Sequence, residues 1–252
     1  EIGQILKKER PEIINHHAAQ ISVRESVANP IYDMEVNLSG ILNIMEEGKD
    51  KGLKKIIFAS SGGVVYGDAR KIPTAENYEP KTPLSPYGIA KLGSEHYLNF
   101  YFQAFKIPYI ALRYSNVYGP RQNPHGEAGV VAIFSQKLLG GKTPVINGDG
   151  KQTRDYIYVD DVVSANLKAL TTSYVGGINI GTSIETDVNA IFAGIEKIVK
   201  SGINPIHGDP KHGEQKRSCL DIKLAKKVLD WQPQVNINQG LSQTVNYFRR
   251  SN

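Results

Sequence analysis

The stretch Lys55-Ile56-Ile57-Phe58-Ala59-Ser60-Ser61-Gly62-Gly63 decides the fold. Ile56 to Ala59 run apolar without alternation, and a Ser-Ser-Gly-Gly turn stops the run at once. Such a run reads as a strand buried on both faces, as in a parallel sheet. Similar short runs flank it, Ile13-Ile14-Asn15-His16 upstream and Pro108-Tyr109-Ile110-Ala111-Leu112-Arg113-Tyr114 downstream. Between them, residues 30–51 and the segment from Tyr87 to about Lys106 read as helices. In the second, Ile89, Leu92, His96/Tyr97 and Phe100 fall along one stripe. This β-α-β-α-β rhythm predicts an α/β fold, a doubly wound parallel sheet of Rossmann type. The later half is less regular. Helices are expected near 129–140, 160–171, 187–201 and 238–250, with short strands at Tyr156–Val159, Gly177–Ile180 and Asn204–His207. They predict a smaller, mixed α/β second domain.

The composition narrows the function classes. The chain has 252 residues, 40% hydrophobic and 22% charged, which excludes disordered and collagen-like classes. Cys219 is the only cysteine, so no internal disulfide or thiolate metal cluster forms, as fits a reducing, cytoplasmic compartment. The opening residues, Glu1 to Lys8, lack the apolar core of a signal peptide. No apolar stretch is long enough to cross a bilayer, so no membrane partner is expected. The net charge of +5 is spread in ones and twos, which argues against nucleic acid. His16-His17 point to opposite faces of a strand, and His207 and His212 flank a turn without further ligands; no metal site is expected.

In such a sheet, ligands bind at the carboxyl ends of the strands. Those ends are His17-Ala18-Ala19-Gln20, Ser60-Ser61-Gly62-Gly63 and Tyr114-Ser115-Asn116, all small or polar. Tyr87 and Lys91 stand four apart at the start of a helix, hence on one face. An ammonium beside a phenol favours the phenolate, so Lys91 is expected to lower the Tyr87 pKa. A Tyr-x-x-x-Lys pair is weak alone, since a chain with 13 tyrosines yields one by chance. One β-α step upstream, however, a serine of the strand end can meet the phenol. A Ser–Tyr–Lys trio suits alcohol–ketone interconversion with a nicotinamide as hydride carrier.

At this point the motifs resemble a family, the extended short-chain dehydrogenase/reductases, and most closely the nucleotide-sugar epimerases of UDP-glucose 4-epimerase type. The resemblance rests on His17-Ala18-Ala19-Gln20, Phe58 to Gly67, Pro83 to Lys91, Leu112 to Gln122 and Gly148 to Tyr156, in the family's order and spacing. It implies NAD as cofactor and a UDP-sugar as substrate, with epimerisation at C4 through a 4-keto sugar. Tyr87 would be the base and Lys91 would bind the nicotinamide ribose. Ala18, Ala19, Gln20, Ser60, Tyr114 and Ser115 would line the cofactor. Asn116, Arg154, Lys211 and Glu214 would meet the substrate, and a guanidinium at Arg154 suits a diphosphate. Residues 1–118 with 154–181 would form the NAD-binding domain, and 119–153 with 182–252 the substrate domain. A homodimer through helix faces is the family's habit.

Two departures stand out. The family's catalytic Ser or Thr falls at Gly62 here, so Ser61 is expected in that role, with Ser60 the alternative. The family also begins with a β-α-β unit carrying a Gly-rich loop, and these 252 residues contain none. They are therefore expected to bind NAD weakly and not to epimerise alone, and a non-catalytic sugar-nucleotide-binding remnant is the alternative reading. Members that eliminate water carry acids just before Val-Tyr-Gly. Gly62, Gly63 and Val64 stand there instead, which disfavours elimination.

Overall fold

The computed structural model describes residues 1–125, 129–210 and 215–251. The chain runs α1 (Ile2–Glu9), β1 (Ile13–His16), α2 (Val23–Ala28), α3 (Pro30–Met34), a π-helical turn (Glu35–Ser39), α4 (Gly40–Gly48) and β2 (Lys55–Ser61). Then come α5 (Pro86–Phe105), β3 (Tyr109–Tyr114), β4 (Asn116–Tyr118), α6 (Val130–Leu139), β5 (Val145–Asn147) and β6 (Thr153–Tyr158). The last part is α7 (Val159–Thr171), β7 (Gly176–Ile180), β8 (Glu185–Asp187), α8 (Val188–Val199), β9 (Ile206–Gly208), α9 (Lys223–Leu229) and α10 (Ile237–Ser251).

The main sheet has the order β1-β2-β3-β7, all parallel. Its centre is as dry as the sequence implies: Ile56, Ile57, Phe58, Ile110, Ala111 and Leu112 have no exposed surface. Full burial of each large side chain contributes about 1.5–3 kcal/mol. Ile57, Ile110, Leu112 and Ile178 pack on one side, against Val162, Ala165 and Ala169 of α7 and against Trp231. Phe58, Ile56 and Ala111 pack on the other, against Ile41, Met45, Leu98 and Tyr101. A second cluster joins Val131, Phe134 and Leu138 to Ile191, Ile195, Leu241 and Val245, beside the small β4-β6-β8 sheet.

Registers bring the strand ends together. Ser61 pairs with Tyr114, and the Ser115 N–H donates to the Ile180 carbonyl at 2.9 Å. The β1-to-β2 connection is one helical path, but the π turn interrupts it at Asn37. There the side chain turns inward to donate to the Gln20 carbonyl (2.9 Å) and to Asp33 Oδ1 (2.8 Å). Single π turns inside α-helices often mark functional positions.

Helix α5 corrects one expectation. It starts where predicted, with Ser85 as cap accepting from the Gly88 N–H (3.2 Å) and Pro86 in the first turn. Its buried face, however, is Gly88, Ala90, Lys91, Ser94, Glu95, Leu98 and Tyr101. Ile89, Tyr97 and Phe100 of the expected apolar stripe are 60%, 44% and 53% exposed. The helix is apolar nearly all round, so the apolar stripe does not identify the face that packs on the sheet.

The polar residues on the buried face form a network. Glu95 accepts from Ser60 Oγ (2.6 Å) and from Arg113 Nη2 (2.6 Å) and Nε (3.0 Å). Arg113 Nη1 donates to the Tyr66 hydroxyl (2.7 Å), which donates to Asn179 Oδ1 (2.7 Å). Asn179 Nδ2 in turn donates to the Thr74 and Asp221 carbonyls. The network ties α5, β2, β3 and β7 to two loops.

Candidate active site

Two segments meet at the carboxyl end of β2. The β2 strand ends on Ser61, and α5 carries Tyr87 in its first turn and Lys91 one helical turn later. Of the two serines, Ser61 is the one that acts on the phenol, pulling the Tyr87 pKa down. The Ser60 hydroxyl is turned away and committed to Glu95. In the expected cofactor lining, Ser60 would therefore offer its backbone and not its hydroxyl.

Lys91 is buried, at 3% exposure. Its ammonium donates to the Ala59 carbonyl (2.9 Å), 4.7 Å from the Phe58 ring centroid and 5.7 Å from that of Tyr87. Burial pushes its pKa down to about 8, with the Asp33 carboxylate opposing. The Tyr87 phenol is pushed up to about 12, by burial first and then by Asp33. The expected lowering by Lys91 does not arise: burial dominates, and the ammonium bonds the Ala59 carbonyl and not the phenol. His16, behind them on β1, is pushed down to about 4 by burial, Lys91 and His17, and is neutral at working pH.

The other sequence-predicted residues divide into groups. Gln20 Nε2 donates to Asp33 Oδ1 (2.8 Å) and to the Ser22 carbonyl (2.9 Å), while Ala18 and Ala19 sit on the loop leading to it. The Tyr114 hydroxyl accepts from Asn166 Nδ2 (2.8 Å), and its ring lies 6.1 Å from that of His17. Ser115 Oγ is buried without a partner. Asn116 opens β4 beside Gly63, where an added Cβ would meet only Ser61 Oγ at 3.9 Å and Asn116 Oδ1 at 4.0 Å. Gly62 differs, since a Cβ there would strike Leu220 at 2.5 Å.

Arg154 lies on β6, half-buried, with Nη1 donating to the Thr153 carbonyl (2.8 Å). Its neighbour Asp155 is buried and accepts from the Thr182 N–H (2.8 Å) and hydroxyl (2.7 Å) and from the Ser183 and Leu220 N–H groups. Lys211 and Glu214 lie outside the described residues. Among the described residues no group of three or more His, Cys, Asp or Glu could hold a metal ion.

Residues 1–181 match the NAD dependent epimerase/dehydratase family. The chain belongs to that family. It is 43% identical over 250 residues to the UDP-glucose 4-epimerase of Mycolicibacterium smegmatis, covering 99% of this chain and 80% of that protein. It superposes on the crystal structure of the Thermotoga maritima UDP-glucose 4-epimerase with UDP-glucose at a TM-score of 0.97 and 45% identity. That match covers 99% of this chain and 81% of the other. The Thermus thermophilus UDP-glucose 4-epimerase complex with NAD matches at a TM-score of 0.91 and 39% identity, over 98% and 81% of the two chains.

The family's cofactor is NAD, and the chain's own atoms fit its nicotinamide end. The orphaned Ser115 hydroxyl follows the end of β3, Gly63 with open space beside it follows the end of β2, and the buried Lys91 bonds the Ala59 carbonyl of β2. Sequence reasoning missed Asp33, Asn37, Glu95 and Arg113. The only signal was spacing: Asp33 precedes Asn37, and Lys91 precedes Glu95, by one helical turn each.

Ser61 and Ser60 can be separated by mutation. Ser61→Ala is expected to lower kcat by about 10- to 100-fold, short of the 10²- to 10⁴-fold typical of a general base, with unchanged stability. Ser60→Ala is expected to leave kcat near wild type and to destabilise folding by about 1–3 kcal/mol, because Glu95 loses a buried donor. Steady-state kinetics and urea unfolding of both variants check the assignment.

Proposed function

We propose that this chain interconverts UDP-glucose and UDP-galactose by NAD-dependent epimerisation at C4, with Tyr87 as the proton-transfer group. The observation that carries the reading is the Tyr87 phenol under the influence of Ser61 at the end of β2, with Lys91 buried one turn further along α5, its ammonium 5.7 Å from the Tyr87 ring centroid. Proton transfer from a sugar hydroxyl needs such a group, and no carboxyl stands at Gly62, Gly63 or Val64 for a second elimination step.

The division of labour follows from chemistry. NAD, when bound, supplies the hydride acceptor and donor at C4. Tyr87 takes the C4 hydroxyl proton and gives it back once the keto sugar has turned over. Its raised pKa suits the acid half of that cycle, and any cation brought beside the phenol lowers it for the base half. Ser61 orients the hydroxyl. Lys91 and Ser115 hold the nicotinamide side, together with the loop of Ala18, Ala19 and Gln20. Tyr114, held by Asn166, backs that wall. Asn116 faces the sugar, and Arg154 holds the diphosphate; Lys211 and Glu214 are the other substrate residues of this reading.

The two-domain division fits this scheme. Residues 1–118 and 154–181 build the sheet and its strand ends, and 119–153 with 182–252 supply the substrate side. We further read the exposed face of α5, with Ile89, Tyr97, Phe100 and Phe105, as the contact of a homodimer. A cytoplasmic site is supported by the lone, buried Cys219. No helix among the described residues is long and apolar enough to cross a membrane.

Chromatographic detection of UDP-galactose formed from UDP-glucose tests the activity. The substrate side is tested at Arg154: Arg154→Ala is expected to weaken UDP-glucose binding by about 2 kcal/mol, as for charge-assisted bonds left unmade. Free galactose should not bind detectably. Calorimetry that finds galactose and UDP-galactose equally tight would place recognition elsewhere.

A further inference from the structure

Asp33 is a carboxylate with no exposed surface, on α3, which packs against α5. Its Oδ1 accepts from Gln20 Nε2 and from Asn37 Nδ2, each at 2.8 Å. Its Oδ2 is buried with no hydrogen-bond partner. A buried polar atom left unpaired costs about 1–3 kcal/mol, so a fold that keeps one calls for a reason beyond packing. Burial raises the pKa of this carboxyl, and the bonds from Gln20 and Asn37 together with the Lys91 charge oppose that rise and favour its ionised form. What it can do is act on its neighbours.

The titratable groups that feel this carboxylate are Lys91 and Tyr87, both on α5. Gln20, from the β1 loop, and Asn37, from the π turn, are polar but do not titrate. His16 on β1 feels Lys91 and His17 and is already neutral. In a water-poor surrounding a single negative charge acts strongly over several ångströms. Lys91 is the cation in that field.

We propose that Asp33 is a positioning residue for the Tyr87–Lys91 pair: one oxygen fixes Gln20 and Asn37, and the unpaired charge beside α5 keeps the buried Lys91 protonated. The same carboxylate discourages loss of the Tyr87 proton until ligand binds. Without Asp33, burial alone would set Lys91, and a neutral amine would no longer serve as the cation of the site. The inference rests on the reading of Tyr87 and Lys91 as the functional pair, but its first test needs no turnover.

The sign is fixed by electrostatics. Removing a negative charge lowers the pKa of every group nearby, a cation because its partner is lost and a phenol because its repulsion is lost. In Asp33→Asn, which conserves shape, the Lys91 midpoint read by carbon-13 NMR of lysine-labelled protein should fall by about one pH unit or more. The Lys91 signal is assigned as the one absent from Lys91→Met. Coupling is reciprocal, so in Lys91→Met the Asp33 carboxyl must titrate higher by the same amount. That arm decides the question if Asp33→Asn does not fold. In the active enzyme, both limbs of the kcat profile of Asp33→Asn should move to lower pH, with KM for UDP-glucose within about two-fold of wild type. A structural role alone would lower the profile without displacing it. Lys91 and Asp33 midpoints that ignore each other's substitution would overturn the proposal; no turnover with the NMR coupling intact would instead count against the epimerase reading.

Discussion

Tyr87→Phe is expected to lower epimerase turnover by about 10³-fold, within the range typical for a lost general acid–base group. The substitution removes one oxygen from a half-buried ring, so packing and UDP-sugar affinity should stay near wild type. The loss therefore belongs in kcat and not in substrate binding. Assayed in an epimerase-active background, a variant that keeps more than about a tenth of wild-type turnover would exceed what the loss of this group permits. In that case the proton would be moving through another residue.

The largest stability effect is expected at the Glu95–Arg113 pair, whose side chains are 6% and 8% exposed. Arg113→Met leaves the Glu95 carboxylate buried beside Ser60 with its strongest partners gone. Breaking such a pair from one side costs about 3–5 kcal/mol. The double variant Glu95→Leu with Arg113→Met removes both charges and should recover a large part of that loss. Urea unfolding of the two single variants and the double one measures this. Equal stability of Arg113→Met and wild type would mean that the network holds nothing in place.

The fold was legible because its strands are long and uninterrupted. Lys55 to Ser61 and Tyr109 to Tyr114 could hardly be anything but buried parallel strands, and their small polar ends marked the site. The short pieces were not legible. β4, β5 and β8 have three residues each, below the length at which alternation carries a signal. The α5 helix was found, yet its packing face was not, since apolar side chains occupy its exposed side as well. Lys91 and Glu95 occupy the buried side because the sheet presents Ala59, Ser60 and Arg113 to them.

The Ser–Tyr–Lys trio could be read as a pattern, but its electrostatics could not. Spacing placed Lys91 beside Tyr87, and the expectation that it lowers the phenol's pKa ignored the Ala59 carbonyl and the Phe58 ring that hold the ammonium. The choice between Ser60 and Ser61 was equally beyond spacing. It turns on which hydroxyl Glu95 captures, and Glu95 in sequence looks like any charge on a solvated helix. Asp33 was hidden for the same reason, in a segment whose π turn swings Asn37 inward.

The central claim is that C4 is inverted by removal and return of hydride at the carbon while Tyr87 handles only the oxygen-bound proton. UDP-glucose carrying deuterium at C4, turned over by the active enzyme in ordinary water and followed by proton NMR, tests it most directly. The account predicts UDP-galactose that retains the deuterium at C4. UDP-galactose carrying solvent hydrogen at that carbon would contradict it.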